Sequence, residues 1–492
     1  MEDRKRPTSR PHGAELRGLA EVPRSTLHEG RFGRMFRNLP PFAPADEDLV
    51  ALAQEMIEPP EDDQGDETAG DNDNISAGFT YFGQFIDHDI TFDPTSKLQR
   101  DNDPNALRDF RTPRFDLDSV YADGPADNPF LYQDDGVHLL IGRNKANEED
   151  LPRNVAGRAL IGDPRNDENL IVSQLHLAFL KYHNKVVDSL PADTPNRFDE
   201  ARRIVRWHYQ WLVIHRFLTL VVGSEVVKDI LKTEPFLVGV KDGVREATAA
   251  KVDLKFFKWK HQPFMPVEFS VAAYRFGHSI VRGDYALNKA TSGDNELPIF
   301  AEDPQPDLRG FRERPKGLVI EWPRFFKFPN SPLELQPTRK IDAKLAFGLS
   351  ILPKIEIGAA DEIRALAERN LRRGKALGLP SGQAVARAMG IPRELILRGG
   401  ALGLKPALAP KFGENTPLWF YILKEAEVQC QGKKLGPVGG RIVAEVLIGL
   451  LYGDPMSYLR VEPTWHPEPN QFGAGPDGQF RMADFLRFAT VA

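Results

Sequence analysis

A single cysteine, Cys430, stands among 492 residues. That excludes an internal disulfide framework and any zinc or iron–sulfur site built from the cysteines of one chain. A metal bound here must use histidine or oxygen ligands. Net charge is also small, −6 with 64 basic and 70 acidic side chains, so the chain has no electrostatic footprint for nucleic acid. No apolar run is long enough to span a bilayer, since the most apolar late stretch, RIVAEVLIGLLYG (441–453), is short and broken by Glu445. The N-terminal MEDRKRPTSRPHGAELRG is charged and lacks the apolar core of a secretory signal. The expectation is a cytoplasmic chain, unless export uses a route the residues do not reveal. Strand-like alternation is sparse, and no internal repeat is found.

What remains is a globular composition, 41% apolar and 27% charged, sufficient for a sizeable core. NLIVSQLHLAFLKYHNKVVDSL (169–190) and FDEARRIVRWHYQWLVIHRFLTLVVG (198–223) place apolar residues at three- and four-residue steps, the period of long amphipathic helices. Further helical runs are expected at 269–283, 360–377 and 438–452. Residues 1–40 mix Arg, Pro and Gly without periodicity and read as an arm over the body. The acidic stretch 58–79 reads as a solvated loop. The predicted architecture is mainly α: one large helical body over 41–492, with long loops and little β structure.

Within that frame, GQFIDHDITFD (83–93) puts His88 between Asp87 and Asp89 in a helix-compatible run. Buried charge is costly unless paired or bound to a metal, so the triplet faces water or holds something. On a helix successive side chains turn by about 100°, so three neighbours serve three partners. Gln84, one turn before His88, shares its face. RTPRFDLDSVY (111–121) offers oxygen at alternate positions, from Thr112, the Arg114 carbonyl, Asp116 and Asp118, and hard oxygen ligands of this kind suit calcium. GDPRNDENL (162–170) gives Arg165 and, three residues on, Glu168; alone, this reads as a salt-bridged helix start. AAYRFGHSIVRG (272–283) sets His278 beside Gly277, where a flat group can approach the backbone. AERNLRRGKALGLP (367–380) carries Asn370 on a charged helix.

Taken in this order, the five stretches resemble the animal-type haem peroxidases, the peroxidase–cyclooxygenase superfamily that includes myeloperoxidase and lactoperoxidase, over about residues 75–460. The resemblance implies haem b and Ca2+ as cofactors. It makes His88 the distal histidine with Gln84 beside it, Arg165 the catalytic arginine, His278 the axial iron ligand and Asn370 the acceptor of its hydrogen bond. Asp87 and Glu168 become carboxylates ester-linked to the haem. Asp89, Thr112, Arg114, Asp116 and Asp118 become calcium ligands, with Tyr121 closing the motif. Asp118 stands where serine is usual, so Ser119 competes for that role. Asn169 occupies the position of a sulfonium-linked methionine found in myeloperoxidase, so that link is expected to be missing. His176 and His183 read as packing residues.

The activity so implied is reduction of hydrogen peroxide with oxidation of bromide, iodide, thiocyanate or small phenols. Fatty-acid dioxygenation is the rival within the superfamily, but its tyrosine belongs three residues before the proximal histidine, where this chain has Arg275; Tyr274 lies one residue off. A non-catalytic haem- or calcium-binding interaction module is the rival from another class. No nucleic acid and no membrane span are expected, and the oligomeric state is not written in these residues.

Overall fold

The computed structural model describes residues 30–59, 70–91, 108–109, 113–232, 251–301, 306–352 and 363–489. The periodic runs fold as helices α1 (Asp46–Glu55), α2 (Gly78–Ile90), α3 (Leu170–Ser189), α4 (Arg197–Leu212), α5 (Leu366–Ala376), α6 (Leu418–Cys430) and α7 (Pro437–Gly453). Strands are short. β1 (Gly30–Gly33) pairs antiparallel with β3 (Arg108–Asp109) and parallel with β4 (Met265–Pro266), while β2 (Asp71–Ser76) pairs antiparallel with β5 (Pro337–Arg339). The fold is mainly α, as the periodicity predicts. Among the described residues no helix is long and apolar enough to cross a membrane.

The core forms where α2 meets α3 and α3 meets α4. Along α2, Phe82, Phe85, Ile86 and Ile90 recur at three- and four-residue steps and are fully buried, one apolar face of the helix. Phe85 stacks on Phe179 of α3 with centroids 4.5 Å apart and planes 5° from parallel, and Tyr209 of α4 meets both rings edge-on at 6.0 and 5.7 Å. Such offset and edge contacts suit the aromatic quadrupole and fix the rings relative to one another. α2 opens on Gly78 because a Cβ there would sit 2.7 Å from the Phe325 carbonyl oxygen.

Three local expectations are corrected. Part of the acidic stretch 58–79 is strand β2; residues 60–69 lie outside the described part. Its polar sequence DNDNIS pairs through backbone bonds and through Asn72, whose buried amide donates to the Gly432 carbonyl at 3.2 Å, rather than through alternation. The run 269–283 is not one helix: Val267–Ser270 is a single α turn and Ala273–His278 a 3-10 turn. Helix 360–377 is α5, which starts at Leu366; residues 360–362 lie outside the described part.

The segment after β1 straps α5. Arg34 donates to the Leu377 and Gly378 carbonyls at 2.7 and 2.8 Å, and Asp46 of α1 pairs with Arg372 and Lys375. Buried carboxylates hold other chain segments by their amides. Glu268 accepts from Met35 and Phe36 backbone N–H at 3.1 and 3.0 Å. Glu445, which interrupts the apolar α7, is fully buried and accepts from the backbone N–H of Lys255, Phe256 and Phe257 at 3.0, 2.7 and 2.8 Å and from Arg441 at 2.7 Å. Removing one side of such a network leaves buried donors unpaired, so Glu445→Ala is expected to destabilise the fold by about 3–5 kcal/mol. Urea unfolding of parent and variant measures it; a loss under about 1 kcal/mol, the worth of one ordinary hydrogen bond, contradicts the assignment.

Candidate active site

Helix α2 aims Gln84, Asp87, His88 and Asp89 at separate partners, as a helical fan requires. His88 is 4% exposed. Its Nδ1 lies 2.9 Å from Asn166 Oδ1 and its Nε2 3.4 Å from Glu168 Oε1, and the Gln84 amide donates to that same Glu168 oxygen. Thr91 donates to the Asp87 carboxylate at 3.1 Å.

Arg165, Asn166 and Glu168 come from a 3-10 turn, Pro164–Asp167, not from the start of a helix; α3 begins only at Leu170, capped by the Asn169 side chain on Ile171 N–H at 2.8 Å. The buried Asp163 carboxylate caps this turn on Arg165 N–H at 2.9 Å. The Arg165 guanidinium pairs with Asp163 at 2.8 Å and donates to the carbonyls of His88, at 3.0 Å, and Thr91. Those carbonyls close α2, where no further helical N–H exists to take them. Arg165 therefore braces the end of the helix that carries His88. The turn is fixed from behind by Arg153, bidentate on Asp167 at 2.7 and 2.7 Å. Gly310 covers it, donating to the Glu168 carbonyl at 2.9 Å at a spot where a Cβ would meet Asp167 O at 1.8 Å.

His278 ends the 3-10 turn Ala273–His278, which packs against α2: Tyr274 donates to the Gly83 carbonyl at 3.1 Å, and Thr80 to the Ile280 carbonyl at 3.4 Å. Burial, and after it the charges of Arg275 and Arg369, push its pKa down to about 3, so it is a neutral imidazole at pH 7. The expected Asn370 is beside it, 1% exposed, but oriented differently from the expectation. Asn370 Nδ2, not Oδ1, faces His278 Nδ1 at 2.7 Å, because Oδ1 accepts from Arg275 at 2.7 Å. Next to this ring, a Cβ on Gly277 would meet nothing within 4 Å.

Asp89, Asp116 and Asp118 each offer a carboxylate oxygen, all within 4.8 Å of one another. Asp89, with no exposure, also accepts from Leu117 N–H at 3.3 Å and from Ser119 Oγ at 3.1 Å. Ser119, the competitor for the ligand role, is thus a donor to Asp89. Arg114 sends its guanidinium towards Asp454 at 3.7 Å, and Gln210 of α4 holds the neighbouring Phe115 carbonyl at 3.0 Å. Thr112 lies outside the described residues. Asp163 N–H donates to the Ser119 carbonyl at 3.0 Å and joins this loop to the Arg165 turn. Three carboxylates converging in a largely dry site repel unless a cation or protons neutralise them.

His183 accepts from Tyr121 at 3.0 Å and meets the Val137 carbonyl at 2.9 Å, a buried structural role. His176 contacts Asn166 at 3.0 Å. Asn166 was not among the expected site residues; its only signal in the sequence is its place next to Arg165.

Comparison with known proteins adds to this geometry. The family model for animal haem peroxidases matches residues 104–309. Chorion peroxidase of Drosophila melanogaster is 25% identical over 316 residues, 62% of this chain and 36% of that protein. A peroxidase-like protein of Margaritifera margaritifera is 25% identical over 83% of this chain and 58% of its own length. Thyroid peroxidase of Rattus norvegicus is 24% identical over 60% of this chain and 30% of its own. The chain thus spans less than two thirds of each of these relatives. Among solved structures, peroxidase A of Dictyostelium discoideum matches with TM-score 0.60 at 16% identity, covering 87% of both chains. The fatty acid alpha-dioxygenase of Oryza sativa matches with TM-score 0.58 at 15% identity, covering 92% of this chain and 79% of that one. Residues 104–309 thus resemble an animal haem peroxidase domain, and the chain shares its fold with these solved peroxidase and dioxygenase structures.

Proposed function

We propose that the protein is a haem-dependent peroxidase that reduces hydrogen peroxide and oxidises bromide, iodide, thiocyanate or small phenols. One observation carries this reading: His278 is a half-buried, neutral imidazole held at Nδ1 by Asn370, with open space beside Gly277. A neutral nitrogen donor fits haem iron, whereas a charged imidazolium would not. His278 would hold the iron, and Asn370 would orient its ring.

Bound haem supplies the redox chemistry of peroxide reduction and donor oxidation. The chain supplies proton movement and charge. Nε2 of His88 takes a proton from one peroxide oxygen and returns it to the other, general base and then general acid. Arg165, permanently cationic, would lower the energy of negative charge developing on the departing oxygen, for which its guanidinium has to turn from the His88 and Thr91 carbonyls it holds in this structure. Gln84 and Glu168 line the same space as His88 Nε2. Asp87 and Glu168 are the carboxylates for ester links to the haem. Asp89, Asp116 and Asp118, with the Arg114 carbonyl and Thr112, would hold Ca2+ and so anchor the end of α2 that bears His88. A dioxygenase is the weaker reading. Arg275 occupies the position three before His278, and the Tyr274 hydroxyl is committed to the Gly83 carbonyl.

The direct test is the absorption spectrum of protein expressed with haem supply, before and after one equivalent of hydrogen peroxide. The expected result is a Soret band that shifts on peroxide and returns on adding bromide or a phenol, and that His278→Ala lacks. No haem band in the parent overturns the reading; oxygen uptake with linoleate but no bromide or phenol turnover favours the dioxygenase.

Two further outcomes follow from the carboxylates. Intact-mass analysis after peroxide treatment should find haem retained in acid and organic solvent, with Asp87→Val losing about half of the links; haem stripped completely from the parent contradicts the esters. Elemental analysis should find about one calcium per chain, and chelation should lower turnover before it unfolds the protein. Unchanged turnover with no calcium found contradicts that site.

A further inference from the structure

Asn166 lies fully buried between two imidazoles, its Oδ1 2.9 Å from Nδ1 of His88 and its Nδ2 3.0 Å from Nδ1 of His176. An amide accepts at one end and donates at the other, while a neutral imidazole carries its proton on one nitrogen only. The three groups are therefore linked. With Oδ1 towards His88, that ring keeps its proton on Nδ1 and leaves a lone pair on Nε2, and His176 offers its own Nδ1 lone pair to the amide. Turning the amide reverses both tautomers and puts the His88 proton on Nε2. Only the first arrangement lets Nε2 receive a proton from peroxide.

We propose that Asn166, oriented by His176, is a positioning residue that fixes His88 in the tautomer with its proton on Nδ1 and Nε2 free to act as base. The catalytic use of that tautomer rests on the peroxidase reading; the geometry that sets it does not.

Several observations support the assignment. His176 has no exposure, and burial pushes its pKa down to about 3, so it stays neutral and keeps a lone pair to offer. Phe85 lies edge-on to its ring at 6.1 Å and limits its rotation. The Asn166 backbone is held by its N–H on the Asp163 carbonyl at 3.1 Å, in a turn already locked by the Arg153–Asp167 pair. His176 Nε2 is buried without a hydrogen-bond partner, so the first arrangement leaves an unpaired N–H there and the turned one an unpaired lone pair; that cost weighs against the first arrangement, and the tautomer measurement decides. Glu168 is the one nearby group that would draw a proton to Nε2 of His88. It stands farther off, at 3.4 Å, has 32% of its side chain exposed, and shares its oxygen with the Gln84 amide. The direct contact from Asn166 is shorter, drier and undivided, and it governs the ring.

The test reads the tautomer itself. In the full chain labelled with 15N at histidine, long-range proton–nitrogen correlations assigned through His88→Gln should show a protonated Nδ1 and an unprotonated Nε2. That preference should be lost in Asn166→Leu and in His176→Phe, and kept in Asn166→Asp, whose carboxylate can only accept. In haem-loaded protein the first two variants should react with peroxide about 10–100-fold more slowly, the range for lost orienting partners, with Asn166→Asp restoring much of the rate. A proton on Nε2 in the parent, or Nδ1 preference unchanged in both Asn166→Leu and His176→Phe, overturns the assignment. Because the tautomer is read without haem, the two readings fail separately: a parent with the expected tautomer that takes up no haem overturns the peroxidase and leaves the positioning role standing. A peroxidase whose rate is unchanged by Asn166→Leu overturns the role and leaves the peroxidase.

Discussion

Helix α2 takes an imidazole and a carboxylate out of water at adjacent positions, His88 at 4% and Asp89 at 0% exposure, and such groups are tolerated only where each is bonded. Much of the surrounding structure answers that requirement. Loop 113–121 returns to Asp89 with Ser119 Oγ and Leu117 N–H, and turn 164–167 returns to His88 with Asn166 and to the helix end with Arg165. The two segments are then bonded to each other through Asp163 and Ser119. Gly162 lies at that junction because a Cβ would come within 2.3 Å of the Asp118 carbonyl. One short helix thus dictates the course of two loops that contain little regular structure of their own.

The opposite face of α2 carries the other half of the constraint. The turn ending in His278 is bound to it through the Tyr274 hydroxyl on the Gly83 carbonyl. Burial in this region weighs on Arg275 as well, pulling its pKa down to about 10 while the nearby Asp87 charge opposes the shift. Asp87 therefore serves α2 through Thr91 and acts by its charge on Arg275, beside His278.

Legibility in the sequence divides along the same lines. α3, α4 and α7 declare themselves by apolar period, because each buries a continuous face; α2 falls in a stretch read as helix-compatible, and α5 starts later than the expected 360. The 3-10 turn that ends at His278 does not, since Ala, Tyr, Phe and Gly in AAYRFGH satisfy a helical pattern, while in the fold the Arg275 guanidinium is drawn to Asn370 Oδ1 and the Arg275 carbonyl accepts from the Trp419 indole. β2 was invisible because a buried asparagine and backbone pairing, not hydrophobic alternation, hold it. Among the candidate residues, His88, Arg165, Glu168, His278 and Asn370 could be named by motif from the chain alone, with their roles a matter for the proposed function. Asn166 could not: its importance lies in reaching two histidines, 78 and 10 residues away in sequence, and only the tertiary fold states that.

The two amides flanking the two histidines face opposite ways, and the chemistry of metal ligation explains why that matters. Asn166 presents oxygen to His88, whereas Asn370 presents nitrogen to His278. With nitrogen opposite Nδ1, His278 keeps its proton on Nε2, the atom a metal needs. If His278 were to hold iron through Nε2, as proposed, its proton would belong on Nδ1 and an acceptor would have to face it, so the Asn370 amide would need to turn and release its bond from Arg275. On that reading Arg275, released by Asn370, would be left to the charge of Asp87, so the stretch that places His88 between two aspartates would bear on both histidines.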